Sequence, residues 1–203
     1  MKLIKNYENF NDSNSDTIIE LSEKLKKECK LFINDMKVYD SFLYRGLINY
    51  TDVYIKNKVR KNRIPKSTDI EIHTLIDDLF FEKFNIRPRS ESVFVTSSYC
   101  NAFNYGNVFL FFPVGDYISI SSDKVDDLYA YINEVYDISN LHELTEDKYN
   151  YIKDELKDLV NTYKINDMSE VIKSGNEIMI ICDEYYIIRQ KYESQLRKLL
   201  ILI

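Results

Sequence analysis

"SFLYRGLI", Ser41 to Ile48, reads as a strand running into a turn, and it carries an arginine. Alternation puts Leu43, Arg45 and Leu47 on one face and Phe42, Tyr44 and Gly46 on the other. Both faces are mostly apolar. A guanidinium in that setting is either surface charge at a strand end or an anion-binder, and the rest of the chain has to decide between them.

The chain has 203 residues, 45% hydrophobic and 14% aromatic, enough for a packed core. Four glycines and three prolines argue against flexible linkers, so residues 1–203 are expected to form a single domain. Lys, Asn, Ile and Tyr are plentiful, as in the AT-rich coding of some phages and low-GC bacteria, which says nothing of fold. The net charge of −6 excludes nucleic-acid binding by bulk attraction, because that affinity comes from neutralising phosphates. Cys29, Cys100 and Cys182 are odd in number, widely spaced and without CxxC spacing. They read as small core residues in a reducing cytoplasm rather than as a disulfide framework or zinc site. His73 and His142 are the only histidines, so a His-rich metal centre is excluded and no metal is expected. No apolar run reaches the ~18 residues of a membrane span. The opening "MKLIKNYENFNDSNSD" lacks a signal-peptide core, so a cytoplasmic location is expected.

Residues 1–15 are polar and read as a loose lead-in. Residues 16–37 place Ile18, Leu21, Leu25, Phe32 and Met36 at helical spacing. The basic stretch Lys56, Lys58, Arg60, Lys61, Arg63 and Lys66 follows the first strand. It reads as a solvated loop, with contact to phosphates or an acidic or nucleic-acid partner as the other reading. Thr68-x-x-Glu71 is a capping-box pattern, opening a helix with Ile72, Leu75, Ile76, Leu79 and Phe80 inward. His73 lies off that stripe and has no assigned role. "NIRPRSE" reads as a turn, "SVFVTSS" as a short strand and "YCNAFNYG" as a short helix closing at Gly106. "NVFLFFPVG" reads as a buried strand stopped by Pro113 and Gly115. "SSDKVDDLYAYINEVY" and "TEDKYNYIKDELKDLVNTY" read as amphipathic helices, and the acidic run Glu143 to Asp158 as a solvated face. "NEIMIICDEYYIIR" reads as two strands around Asp183-Glu184. A helix with an apolar tail, "LLILI", ends the chain and is expected to join the core. Helices and strands are segregated, which favours α+β over a βαβ repeat.

Three strand-like segments carry polar residues against their pattern: Arg45, Thr96-Ser97-Ser98 and Glu177. A carboxylate on the face shared with Met179 and Ile181 is costly unless paired or used. Taken singly, each has an ordinary reading, as an ion-pair arginine, as turn hydroxyls and as an exposed glutamate.

In this order the three motifs resemble the Arg-Ser-Glu class of mono-ADP-ribosyltransferases, which includes bacterial toxins and phage enzymes that modify host proteins. "LYRG" is similar to that class's first core strand, with Arg45 and Gly46. "FVTSS" is similar to its aromatic-x-Ser-Thr-Ser strand with the first two hydroxyl residues exchanged. "EIMIICDEYYII" is similar to its catalytic-glutamate strand, turn and second strand, from Glu177 to Tyr186 and Ile188. The resemblance spans Arg45 to Ile188. One feature departs from it: where many members carry a Glu or Gln two positions before the catalytic Glu, this chain has Gly175.

The resemblance implies an ADP-ribosyltransferase-like α+β fold, with small central sheets forming an NAD cleft flanked by helices. It implies NAD as substrate, nicotinamide release and a host protein or nucleic-acid acceptor, in the host cytoplasm if the protein is phage-encoded. The reaction breaks the bond from nicotinamide to the ribose anomeric carbon through an oxocarbenium-like transition state. A planar guanidinium, Arg45, would hold the pyrophosphate in bidentate fashion. Glu177 would stabilise the developing positive charge, and the Thr96 hydroxyl would orient Glu177 by a direct hydrogen bond. Gly46 would admit the nicotinamide amide to the backbone, Ser97 and Ser98 would line the cofactor site, and Tyr105 or Phe103 would stack on nicotinamide. Without a carboxylate at position 175, an NAD glycohydrolase stays open beside a transferase. A non-catalytic binding module on the same scaffold is the third reading.

Overall fold

The computed structural model describes residues 5–64, 69–136 and 145–201, with side chains from 16–64, 69–132 and 145–201. Residues 1–4 of the lead-in, Lys66, Thr68, His142, Glu143 and the last two tail residues lie outside the described residues.

Two helices open the chain, α1 (Lys5–Glu28) and α2 (Lys30–Tyr39), separated at Cys29. The stretch assigned to a loose lead-in is therefore helical from Lys5; it contains no Gly or Pro to stop a helix propagating from the amphipathic part. The expected stripe is correct, since Ile18, Leu21, Leu25, Phe32 and Met36 are all buried. Asp40 ends α2 in the left-handed conformation, φ 48°. Helix α3 (Ile70–Phe84) buries Ile72, Leu75, Ile76, Leu79 and Phe80. Its cap is Asp69, whose carboxylate accepts from the Glu71 and Ile72 N–H groups. "NIRPRSE" closes into a one-turn helix, α4 (Pro88–Glu91), with Pro88 at its start.

The described strands are β1 (Leu43–Leu47), β2 (Tyr54–Lys58), β3 (Val93–Thr96), β4 (Asn107–Val114), β5 (Ile118–Ser121), β6 (Lys164–Ile165), β7 (Glu177–Ile181) and β8 (Glu184–Arg189). The remaining helices are α5 (Tyr99–Phe103), α6 (Leu128–Tyr136), α7 (Glu146–Asn161), α8 (Ser169–Ser174) and α9 (Glu193–Leu200). All strand pairs are antiparallel, in the order β2-β8-β4-β1-β3-β7-β5-β6. The fold is α+β.

Composition did not announce β2, β5, β6 or α8, which are short and polar or poorly alternating. Nor does Pro113 stop β4, which pairs with β8 there. The β1 ladder on the other side of β4 ends at Phe111, so the missing proline N–H leaves no sheet bond broken on that side.

The sheet is two four-stranded halves. Continuous ladders run β2-β8-β4-β1 and β3-β7-β5-β6, and one register pair, Tyr44 with Thr96, joins them. Two cores pack against the sheet, the first reaching across both halves through Val93, Val95, Ile178 and Ile180. Helices α1, α2 and α9 bury Leu25, Phe32, Leu196 and Leu200 with Leu43, Phe112 and Ile188. Helices α3, α6 and α7 bury Phe80, Leu128, Ile132 and Leu156 against Ile120 and Met179. Leu200 of the apolar tail is in the core, as expected. No described helix is long and apolar enough to cross a membrane.

Candidate functional site

The three motif strands are consecutive in the sheet. Tyr44, Thr96 and Glu177 form one cross-strand row over β1, β3 and β7. Arg45 is one residue along from Tyr44, so the two side chains leave β1 on opposite faces. There it is opposite Phe109 in register and 5.8 Å from the Tyr185 ring. Arg45 and Glu177 form no ion pair with each other; Arg63 feels the charge of both. The Arg63 guanidinium lies 4.2 Å over the Phe94 ring of β3.

Glu177 opens β7, and its N–H donates to the Asp126 carbonyl at 2.8 Å. This holds the residue against the start of α6, where Asp127 caps the helix by accepting from the Ala130 N–H at 2.9 Å. Burial pushes the Glu177 carboxyl up to about 8, and the Asp127 carboxylate adds to the rise. Arg89, the Leu128 N–H and Arg63 pull the other way without overcoming it. A half-buried carboxyl raised this far beside a second carboxylate is suited to work that needs both protonation states.

The hydroxyl motif does not do what was expected of it. The Thr96 hydroxyl donates to the Gly175 carbonyl at 2.6 Å, not to the Glu177 carboxylate, and accepts from the Ser98 N–H at 3.0 Å. Ser97 donates to the Ile172 carbonyl at 2.6 Å, and Ser98 caps α5 by accepting from the Asn101 N–H at 3.2 Å. Asn101 joins Thr96 on the Gly175 carbonyl at 2.9 Å. These bonds fasten the turn before Glu177 to β3 and α5. Their effect on Glu177 passes through the backbone, and the Ser97 and Ser98 hydroxyls are occupied within the protein.

Gly46 has a packing reason of its own. A Cβ there would meet the Ala102 carbonyl oxygen at 2.0 Å and the Tyr105 Cβ at 2.8 Å, so α5 occupies the space reserved in sequence for nicotinamide. Tyr105 is exposed, but its hydroxyl donates to Asp127 Oδ2. Phe103 is exposed and stacks with Tyr99, ring centres 6.2 Å apart. Gly175 is the left-handed cap of α8, φ 77°, and a Cβ on it would meet the Ser98 Cβ at 2.8 Å. Position 175 thus has neither the backbone nor the room for a carboxylate.

Several residues near Glu177 had no signal in the sequence. Asp127 looked like one more acidic residue ahead of a helix. Arg89 and His73 are buried, as is Asp77, which organises α4. Its carboxylate accepts from the Arg89 N–H at 2.8 Å and the Ser90 hydroxyl at 2.5 Å, and Ser90 Oγ lies 3.0 Å from His73 Nε2. This clasp holds α4 against α3 and so sets where Arg89 stands. Cys29 and Cys182 are buried core residues, their thiols pushed up to about 12 by burial; Cys100 is exposed, against expectation. The described residues contain no group of His, Cys, Asp and Glu that could hold a metal ion. A cavity of about 360 Å³ between α3 and α7, lined by Ile70, Thr74, Leu75, Asp78 and Tyr149 among others, includes none of the motif residues.

No known protein family, curated protein or solved structure matches the chain.

Proposed function

We propose that this chain has an ADP-ribosyltransferase-like fold and transfers ADP-ribose from NAD to a host protein or nucleic acid, releasing nicotinamide. The observation that carries the reading is the adjacency of β1, β3 and β7. Three motifs far apart in the chain lie on neighbouring strands, with Thr96 and Glu177 as direct cross-strand partners. Arg45 holds the pyrophosphate of NAD. Glu177, ionised when the positively charged nicotinamide ribosyl group enters, stabilises the cation that develops at the anomeric carbon. Thr96 positions Glu177 through the Gly175 carbonyl. The reaction takes place in the cytoplasm, that of the host if the protein is phage-encoded.

Gly175 favours a second reading, an NAD glycohydrolase, because its backbone leaves no place for an acceptor-activating side chain. Incubation with NAD labelled in the adenosine half, with and without cell lysate, separates the two. Label on a macromolecule supports transfer, and nicotinamide release without labelling supports hydrolysis. Silence in both from folded protein overturns the enzymatic reading and leaves a binding module. Activity that survives Glu177→Gln overturns the site.

A further inference from the structure

The basic stretch that begins in β2 and runs on past it divides by chemistry. Its Lys56 pairs with Glu28 at 2.8 Å and Glu184 at 3.0 Å, and its Lys61 with Asp183 at 2.7 Å. The arginines of the same segment, Arg60 and Arg63, form no ion pair among the described residues. The segment is pinned at both ends by the Val59 N–H on the Asp183 carbonyl, 2.9 Å, and the Arg63 N–H on the Ser90 carbonyl, 3.2 Å. It therefore runs from the β8 end of one half-sheet to α4 beside the other, carrying the two arginines with it.

Both arginines lie within electrostatic reach of Arg45. The charge of Arg60 reaches the Arg45 guanidinium and the Tyr185 phenol, and Arg63 feels Arg89, Arg45 and Arg60, offset in part by Glu177. Arg45 is the enclosed member. Its Nη1 is shut off from solvent with no hydrogen-bond partner, and the acidic groups that act on it are the phenols of Tyr185 and Tyr50, uncharged at neutral pH, not a carboxylate. The Arg45 guanidinium carbon lies 5.8 Å over the Tyr185 ring and that of Arg63 4.2 Å over the Phe94 ring. A guanidinium packed on a ring, with no carboxylate bonded to it, keeps N–H donors for a bidentate oxyanion. Like charges gathered around a buried, unsatisfied N–H are unfavourable until a counter-anion arrives. One carboxylate would answer a single guanidinium; three, one on β1 and two on the segment, match an extended polyanion.

We propose that Arg60 and Arg63 complete, with Arg45, a binding site for the diphosphate group of a nucleotide ligand. The identity of that nucleotide as NAD rests on the function proposed above; the diphosphate site rests on the arginines. The test is calorimetric titration of the full chain with inorganic pyrophosphate and with ADP-ribose, alongside nicotinamide release from NAD. Binding of both is expected, weakened about tenfold or more by Arg60→Gln and by Arg63→Gln, and unchanged by Lys61→Gln. Arg63→Lys, which keeps charge and stem but loses the fork, is expected to weaken binding as well, and it guards against a variant that fails to fold. Pyrophosphate and ADP-ribose that do not bind the wild-type chain, or that bind the arginine variants as tightly as wild type, overturn the site even if NAD is cleaved. Arginine-dependent binding without NAD cleavage keeps the site and removes the enzymatic reading.

Discussion

Thr96 and Glu177 are cross-strand partners, yet the Thr96 hydroxyl bypasses the carboxyl and donates to the Gly175 carbonyl two residues before it. The hydroxyl fixes where β7 begins rather than how the Glu177 side chain is bonded. Thr96→Val should cost about 1–2 kcal/mol in urea denaturation, the range for a buried hydrogen bond lost, while Thr96→Ser should stay near wild type. NAD cleavage should fall with Thr96→Val and recover with Thr96→Ser.

Glu177 works against stability. Its folded-state value of about 8 stands above the ordinary 4.5 because of burial. Between those values the folded chain holds a proton that the unfolded chain releases, so folding stability falls as pH rises from about 4.5 to about 8. At roughly 1.4 kcal/mol per unit the penalty is on the order of a few kcal/mol. Glu177→Gln should therefore melt higher than wild type at pH 9 and close to it at pH 4.5. The same variant should lack nicotinamide release, and wild-type activity should rise as pH passes through about 8.

Asp127 is the second cause of that raised value and also binds the Tyr105 hydroxyl. Asp127→Asn should move the Glu177 titration, followed by NMR or by the pH–rate profile, to lower pH. Burial remains in the variant, so the midpoint should stay above 4.5. A midpoint that does not move would separate Asp127 from the site.

The α4 clasp is expected to be structural. Asp77→Ala leaves the Arg89 N–H and the Ser90 hydroxyl without their acceptor and should cost about 3 kcal/mol by chemical denaturation. Burial pushes His73 below the ordinary 6.5, with Arg89 and Arg63 helping and Asp77 opposing. The unfolded chain then takes up that proton first, so the His73 contribution to stability is lost as pH falls below 6.5. His73→Gln should flatten stability against pH in that window.

Gly175→Glu is not expected to create an acceptor-activating carboxylate. The left-handed backbone and the Ser98 Cβ oppose any side chain, so the variant should lose on the order of 1–3 kcal/mol of stability. No gain in macromolecular labelling should accompany it.

Much of the architecture was legible in the chain. Apolar spacing located the Ile18-to-Met36 stripe and the α3 face because a helix repeats locally, every few residues, and burial follows that repeat. The strands around Arg45, Thr96 and Glu177 were legible for the same reason. Strands β2 and β5 were not, since a short strand that alternates poorly is defined by its neighbour's backbone rather than by its own residues.

The local sequence determined which strands carry the arginine, the hydroxyls and the glutamate. Only the tertiary structure decided their partners. Long-range pairing gave the Thr96 hydroxyl to Gly175, filled the space above Gly46 with α5, and set Asp127 and Arg89 around Glu177. It also put Arg60 and Arg63 within electrostatic reach of Arg45 while Lys56 and Lys61 found carboxylates. A side chain's hydrogen bonds and charge environment depend on what folds against it from elsewhere in the chain, and residue type and spacing do not carry that information.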